Sequence, residues 1–350
     1  MRPSARPELV NLQAAVHGGD APPGVVDFST GVSPLPLPAP VLAAARTADL
    51  SRYPHPTALP LRIAIARAHG VGAEEVVAGA GSTELIWALA RAFGGLGRTV
   101  LSPRPGFAEY GQAAQASGAR LVEFPGAGPR TGLGLDRAAA LAREAEASLI
   151  FVPRPSTPWP EVPPAETIES LCRVAPAALV VVDEAYLPLF DEVQPLRPGG
   201  NLAILRSLTK ALALPGLRLG YLLADSAVAG AVRAALPPWN VSAPAAAAGI
   251  AALDRPELLV EAREAIGRLR EDLAERLRAA GARIVAAGGP FLLCEIGAAS
   301  AFTAALLRRG LRVRDCTSFG LPRHVRLGAR LPEENALLAA AFRATQEEAR

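Results

Sequence analysis

The sequence holds one lysine, Lys210, among 36 basic residues; every other basic position is arginine. Arginine serves wherever charge or solvation suffices, but its guanidinium stays protonated and cannot attack a carbonyl. A lone lysine in such a chain is a candidate Schiff-base nucleophile, set against the plainer reading of a surface lysine that survived by chance. Its neighbours favour chemistry. Ser207 stands three residues before it and Arg218 eight after. A hydroxyl donor and a bidentate guanidinium fork are what a phosphate needs. Gly79-Ala-Gly-Ser-Thr-Glu84 is a glycine-rich turn between a predicted strand and helix, which presents free N–H groups to an anion. It falls short of the dinucleotide pattern, because Glu84 stands where the last glycine should be. Asp183 closes a continuous apolar run at 178–182. A carboxylate at the C-terminal end of a buried strand points into the ligand crevice of an open α/β sheet. Without Lys210 downstream, Asp183 would read as a helix N-cap.

Alternating elements must position these groups. Leu61–His69 is predicted helical and Val76–Ala78 a strand, and a helix runs from the glycine turn through Ala92. Strands at Thr99–Ser102, Arg120–Phe124, Ser148–Val152, Ala178–Val182 and Ala203–Arg206 follow, with helices ending near 117 and spanning 136–146. Leu217–Ala224 reads as one more strand, antiparallel to the rest. A long helix is expected over Pro256–Ala280, with Asp254 at its start and Gly281 at its end. Its apolar positions Ala262, Ile266, Leu269, Leu273 and Leu277 keep helical spacing. Residues 281–350 alternate strand and helix. Residues 1–45, rich in Pro and Gly, read as an extended arm with a turn at His17-Gly-Gly-Asp20.

Ser207-Leu-Thr-Lys210 and Gly216-Leu-Arg218-Leu-Gly220-Tyr221 resemble the class I/II aminotransferase superfamily, the fold-type I pyridoxal-phosphate (PLP) enzymes. The resemblance spans nearly the whole chain. It implies an α/β fold with a mixed, mostly parallel sheet between helices in a large PLP-binding domain, 46–239. A smaller α/β domain is implied from the N-terminal arm 1–45 and the segment 240–350. By the same resemblance Lys210 holds pyridoxal 5'-phosphate, while Ser207, Arg218, Ser82 and Thr83 bind its phosphate. Asp183 pairs with the ring nitrogen, Phe107 stacks on the ring, and Tyr186 and Thr157 reach the ring hydroxyl. Tyr53, alternatively a packed aromatic before a proline turn, would reach the phosphate of the other subunit in a homodimer. Tyr110 is core or active-site wall. Arg326 would grip the substrate carboxylate, with Arg314 and His17 nearby. Arginines in number suit a small amino acid substrate carrying a second anion such as phosphate. One departure stands out. The superfamily loop Asn-Pro-Asn-Asn-Pro-Thr-Gly is matched here by a loop with Thr157 for the asparagine before the second proline and Trp159-Pro160 for Thr-Gly. His17-Gly-Gly, Asp27-Phe28-Ser29 and Arg314-Asp-Cys316 point to the L-threonine-O-3-phosphate decarboxylases of cobalamin synthesis as the expected activity. Histidinol-phosphate aminotransferases are the alternative, and a degenerate PLP binder with little turnover is a third reading.

Composition sets outer bounds. Half the residues are hydrophobic and 20% charged, as in a globular protein. A net charge of +3 with no basic run interleaved with aromatics gives nucleic-acid binding no support. The alanine-rich 242–253 segment is too short to span a membrane. Cys172, Cys294 and Cys316 are odd in number and widely spaced, so buried free thiols are expected rather than a disulfide frame or a metal site. With no apolar run behind Arg2 and Arg6, no signal peptide is read, and the expected compartment is the cytoplasm.

Overall fold

The computed structural model describes residues 4–10, 12–129, 133–191 and 193–348. Its strands in chain order are β1 Val26–Asp27, β2 Val76–Gly79, β3 Thr99–Arg104, β4 Arg120–Pro125, β5 Ala147–Pro153, β6 Leu179–Asp183, β7 Leu202–Ser207, β8 Gly220–Leu223, β9 Arg283–Gly288, β10 Phe291–Glu295, β11 Leu311–Arg312, β12 Arg314–Asp315 and β13 His324–Gly328. Seven of them form one sheet in the order β2-β8-β7-β6-β5-β3-β4. All its pairings are parallel except those of β8, which runs antiparallel to β2 and β7. The expected mixed, mostly parallel sheet is therefore present.

The sheet's centre is apolar on both faces because helices cover both. Strand alternation divides it: Val180 and Val182 join Ile150 and Ile204 in one core, and Val181 joins Phe151 and Leu205 in the other. Each such fully buried side chain contributes about 1.5–3 kcal/mol relative to exposure. Parallel register puts Pro153 beside Asp183, and Asp183 beside Leu205. The C-terminal ends of β5, β6 and β7 thus share one edge, where the polar residues begin.

A second, antiparallel sheet has the order β12-β13-β10-β9. It packs on the helices Glu257–Ala279 and Pro332–Glu348 through Leu273, Leu277, Leu292, Leu327 and Phe342. The N-terminal arm joins this sheet to the Lys210 turn. β1 pairs in parallel with β11. The Gly328 amide donates to the Phe28 carbonyl at 2.7 Å, and the Ser33 amide to the Lys210 carbonyl at 2.9 Å.

Two boundaries differ from expectation. The long helix begins at Glu257 behind Pro256, whereas Asp254 ends the preceding helix, Ala243–Leu253, and pairs with Arg67. Leu217 belongs to a tight turn ahead of β8, with Arg218 in a left-handed conformation (φ 52°). Among the described residues, no helix is long and apolar enough to cross a membrane. Cys294 and Cys316 are buried and Cys172 half-buried, all free. Burial pushes the Cys172 and Cys316 thiols up to about 11 and Cys294 to about 12.

Candidate active site

Lys210 lies half-buried in the turn after β7, at the edge where the strands end. It lines a cavity of about 600 Å³, large enough for a cofactor with a small substrate. Ser82, Thr83, Phe107, Thr157, Asp183, Tyr186, Ser207, Arg218, Arg314, Arg326 and His17 line the same cavity. Folding has collected these residues from the whole chain.

At one end sits an anion cradle. Gly81, with φ 87°, ends the glycine turn, and the helix Ser82–Phe93 starts behind it with no side-chain cap on its first amides. A side chain on Gly81 would run into the Arg218 guanidinium, so glycine is what lets that group close on the helix start. Glu84 pins the turn by accepting from the Ala80 amide at 2.7 Å and from Asn240 at 2.8 Å. The Ser207 hydroxyl is buried and 2.9 Å from that of Thr209. A helix N-terminus, a hydroxyl and a guanidinium together hold a phosphate.

Asp183 lies across the cavity, 8% exposed. Burial drives its carboxyl up, Tyr110 and the Ala185 amide pull it down, and the balance stays above the ordinary carboxylate range. The Tyr110 hydroxyl donates to it at 2.8 Å while its ring stacks on Phe151 at 4.8 Å. A protonated ring nitrogen is the kind of partner that would hold this acid ionised. Sequence alone allows Tyr110 to be core or active-site wall; the contact with Asp183 joins residues remote in the chain. The Lys210 amine lies 5.7 Å from the centre of the Tyr186 ring.

The third part of the cavity is cationic. Arg314 on β12 and Arg326 on β13 face one another in register, an arrangement that repels. Burial first, and for Arg314 then the charge of Arg326, disfavours these cations. Neither has a carboxylate partner among the described residues. Arg314 donates to the Val16 carbonyl at 2.7 Å and to the Ser318 hydroxyl at 2.8 Å. Arg326 donates to Thr157 Oγ1 at 2.6 Å and to the Ser29 carbonyl at 3.2 Å, and lies 4.1 Å over the Phe291 ring. Its Nε is buried without a partner among the described residues. Two crowded guanidiniums and an unused donor call for an anion. The Thr157 hydroxyl, expected at the cofactor ring, is engaged by Arg326.

His17 joins the cavity from the arm. Its Nε2 is 2.7 Å from Glu109, which also accepts from Trp87 at 2.7 Å. The His17 bond is the main cause that holds Glu109 below the usual carboxylate range. Tyr53 stands outside this chain's cavity, 82% exposed, with its ring 5.0 Å from that of Trp239.

A lysine amine, a strand-end carboxylate and a phosphate cradle on one α/β edge suit PLP and define a fold-type I PLP enzyme. Residues 23–342 match the family described as aminotransferase class I and II, and the chain belongs to that family. Its cofactor is pyridoxal 5'-phosphate. The chain is 33% identical over 331 residues to histidinol-phosphate aminotransferase 2 of Ralstonia nicotianae, covering 91% of this chain and 88% of that one. Among solved structures it resembles the histidinol-phosphate aminotransferase of Sinorhizobium meliloti in complex with pyridoxal-5'-phosphate, with a TM-score of 0.83, 25% identity and coverage of 92% and 91%. It also resembles the L-threonine-O-3-phosphate decarboxylase of Porphyromonas gingivalis, with a TM-score of 0.80, 25% identity and coverage of 92% and 100%.

These findings overturn the decarboxylase expectation. Seven further curated relatives, 31–36% identical, are all histidinol-phosphate aminotransferases. The structure shows why the motifs misled. Asp27 accepts from the Ser29 amide at 2.7 Å and from its hydroxyl at 2.6 Å, and the Gly19 amide donates to Ser29 at 3.0 Å. A side chain on Gly18 would meet the Ser29 carbonyl at 2.7 Å. His17-Gly-Gly and Asp27-Phe-Ser therefore interlock to fold the arm, a need that does not depend on the reaction.

Proposed function

We propose that this chain is an aminotransferase that exchanges the amino group of a phosphorylated substrate of the histidinol-phosphate type with an amino acid. The observation that carries the reading is the Arg314–Arg326 pair, cationic and without a carboxylate partner among the described residues, in the same cavity as Lys210. A phosphate monoester fills such a site in one half of the exchange, and a carboxylate in the other.

PLP, when bound, supplies an aldehyde for the substrate amine and a ring that withdraws electrons from the amine-bearing carbon. Lys210 then serves as the general base that moves the proton at that carbon. Asp183, oriented by the Tyr110 hydroxyl, would hold a proton on the ring nitrogen. Tyr186 and Thr157 would reach the ring hydroxyl and Phe107 would pack on the ring. Ser207, Arg218 and the amides of Ser82 and Thr83 bind the cofactor phosphate. Arg326, Arg314 and His17 hold the substrate anion. The working unit is a homodimer in the cytoplasm, each chain divided into 46–239 and 1–45 with 240–350.

The test is to supply PLP-loaded protein with histidinol phosphate and 2-oxoglutarate and measure glutamate. Glutamate should form from histidinol phosphate and far more slowly from histidinol, which lacks the phosphate. Equal rates with the two, or none with either, would overturn the reading.

A further inference from the structure

Beneath the cavity, one carboxylate ties three strand ends together. Glu184 follows Asp183 at the end of β6 and is fully buried. Its Oε1 accepts from Arg154 Nη1 at 2.8 Å, and its Oε2 from Arg206 Nε at 3.0 Å and Nη2 at 2.9 Å. Arg154 follows β5 and Arg206 belongs to β7, so the ends of β5, β6 and β7 converge on this one group. Arg154 is 1% exposed, and each of its three guanidinium nitrogens donates a hydrogen bond. Its Nε donates to the Pro163 carbonyl at 3.0 Å and its Nη2 to that of Gln194 at 2.7 Å. Its main-chain amide donates to the Asp183 carbonyl at 2.8 Å.

Side chains alternate across a sheet. Asp183 and Ser207 line the cavity, while their neighbours Glu184 and Arg206 lie outside its lining. Sheet stability alone does not ask for ions there, since apolar side chains of similar volume serve as well or better. Directional, charge-assisted bonds add fixed geometry. Two groups at the cavity need it. Asp183 precedes Glu184 directly, and Thr157, which receives Arg326 at 2.6 Å, lies on the loop that Arg154 begins.

We propose that Arg154, through Glu184 and with Arg206, is a positioning residue that holds Asp183 and the 154–160 loop at one spacing. The cofactor-facing acid and the anion-facing arginine then keep their places together. Arg154 lines no part of the cavity and acts only through its partners. The inference rests on the functional reading above and extends it to residues outside the cavity.

The experiment titrates PLP into cofactor-free wild type, Arg154→Met and Arg154→Lys, following visible absorbance, with thermal unfolding of each. Arg154→Met should fold yet raise the cofactor's dissociation constant about tenfold, the size of one well-placed hydrogen bond. The substrate KM should rise with it. Arg154→Lys keeps the charge but loses the fork, and should fall between. An Arg154→Met protein with lowered Tm but wild-type cofactor affinity, spectrum and KM would reduce the cluster to a stability feature and overturn the proposal. If Arg154→Met fails to fold, Arg154→Lys and Glu184→Gln decide by the same criterion. A wild type that takes up no cofactor would overturn the functional reading, and the positioning role with it.

Discussion

Thr157 shows how one side chain couples two tasks. Its hydroxyl accepts from Arg326 at 2.6 Å, and its proton remains free to donate into the cavity it lines. An asparagine could accept and donate with separate atoms, whereas threonine does both with one oxygen. Removing that oxygen leaves an Arg326 donor unpaired as well as its Nε. Thr157→Val keeps the shape and should raise the KM for the anionic substrate about tenfold, the cost of one hydrogen bond to a charged group. A change confined to kcat would show that the hydroxyl does not steady Arg326. The loop departure was visible in sequence, but its partner was not, because Arg326 reaches it from a distant strand.

Elements pass charge effects to one another as well. His69 ends the helix Leu59–His69 and meets β8 through Tyr221, its Nε2 2.8 Å from the hydroxyl. Burial, then the charge of Arg206, lowers its pKa from 6.5 to about 4. The folded value lies below the unfolded one, so the unfolded chain binds the extra proton first. Stability that depends on neutral His69 is whole above pH 6.5 and drains away as pH falls toward about 4. Discounted for partial exposure, the loss is about 2 kcal/mol. His69→Gln keeps a hydrogen-bonding side chain without the titration. Urea unfolding should give it a flatter profile than wild type between those pH values, and parallel profiles would refute the account. The central strands were legible in sequence because burial on both faces demands apolar, β-branched runs such as Leu179–Val182. β9 was not, since its residues are half-exposed or exposed and carry no alternation. Arg154 gave no signal either: in so arginine-rich a chain, a buried arginine looks like any surface one until its partners are placed. Lys210, Ser207, Arg218 and Asp183 stood out as candidates because residue type and local spacing mark them, and the fold gathers all four at one cavity. Tyr110 was not, because its task exists only once the chain has folded.

Assembly completes the site in the proposed enzyme. Leu50 (78% exposed), Tyr53 (82%) and Trp239 (46%) present large apolar side chains to solvent. The Tyr53 and Trp239 rings lie 5.0 Å apart, and the Trp239 amide is fixed to the Pro56 carbonyl at 2.8 Å, so the pair is held ready rather than loose. Monomers seldom leave aromatic pairs so exposed. The proposed homodimer would bury them and would carry Tyr53, which does not line its own chain's cavity, to the phosphate cradle of the other copy. Complementation tests this directly. Tyr53→Ala should weaken cofactor retention, and Lys210→Ala should abolish turnover, each alone. When the two variants are refolded together, half of the dimers are mixed. In each mixed dimer one site has Lys210 and receives the intact Tyr53, while the other site carries both lesions. Activity should therefore return to about a quarter of wild type, as two-fold symmetry requires. If no activity returns while size-exclusion shows mixed dimers, Tyr53 serves no neighbouring site; if the protein runs as a monomer with full activity, the dimer itself falls.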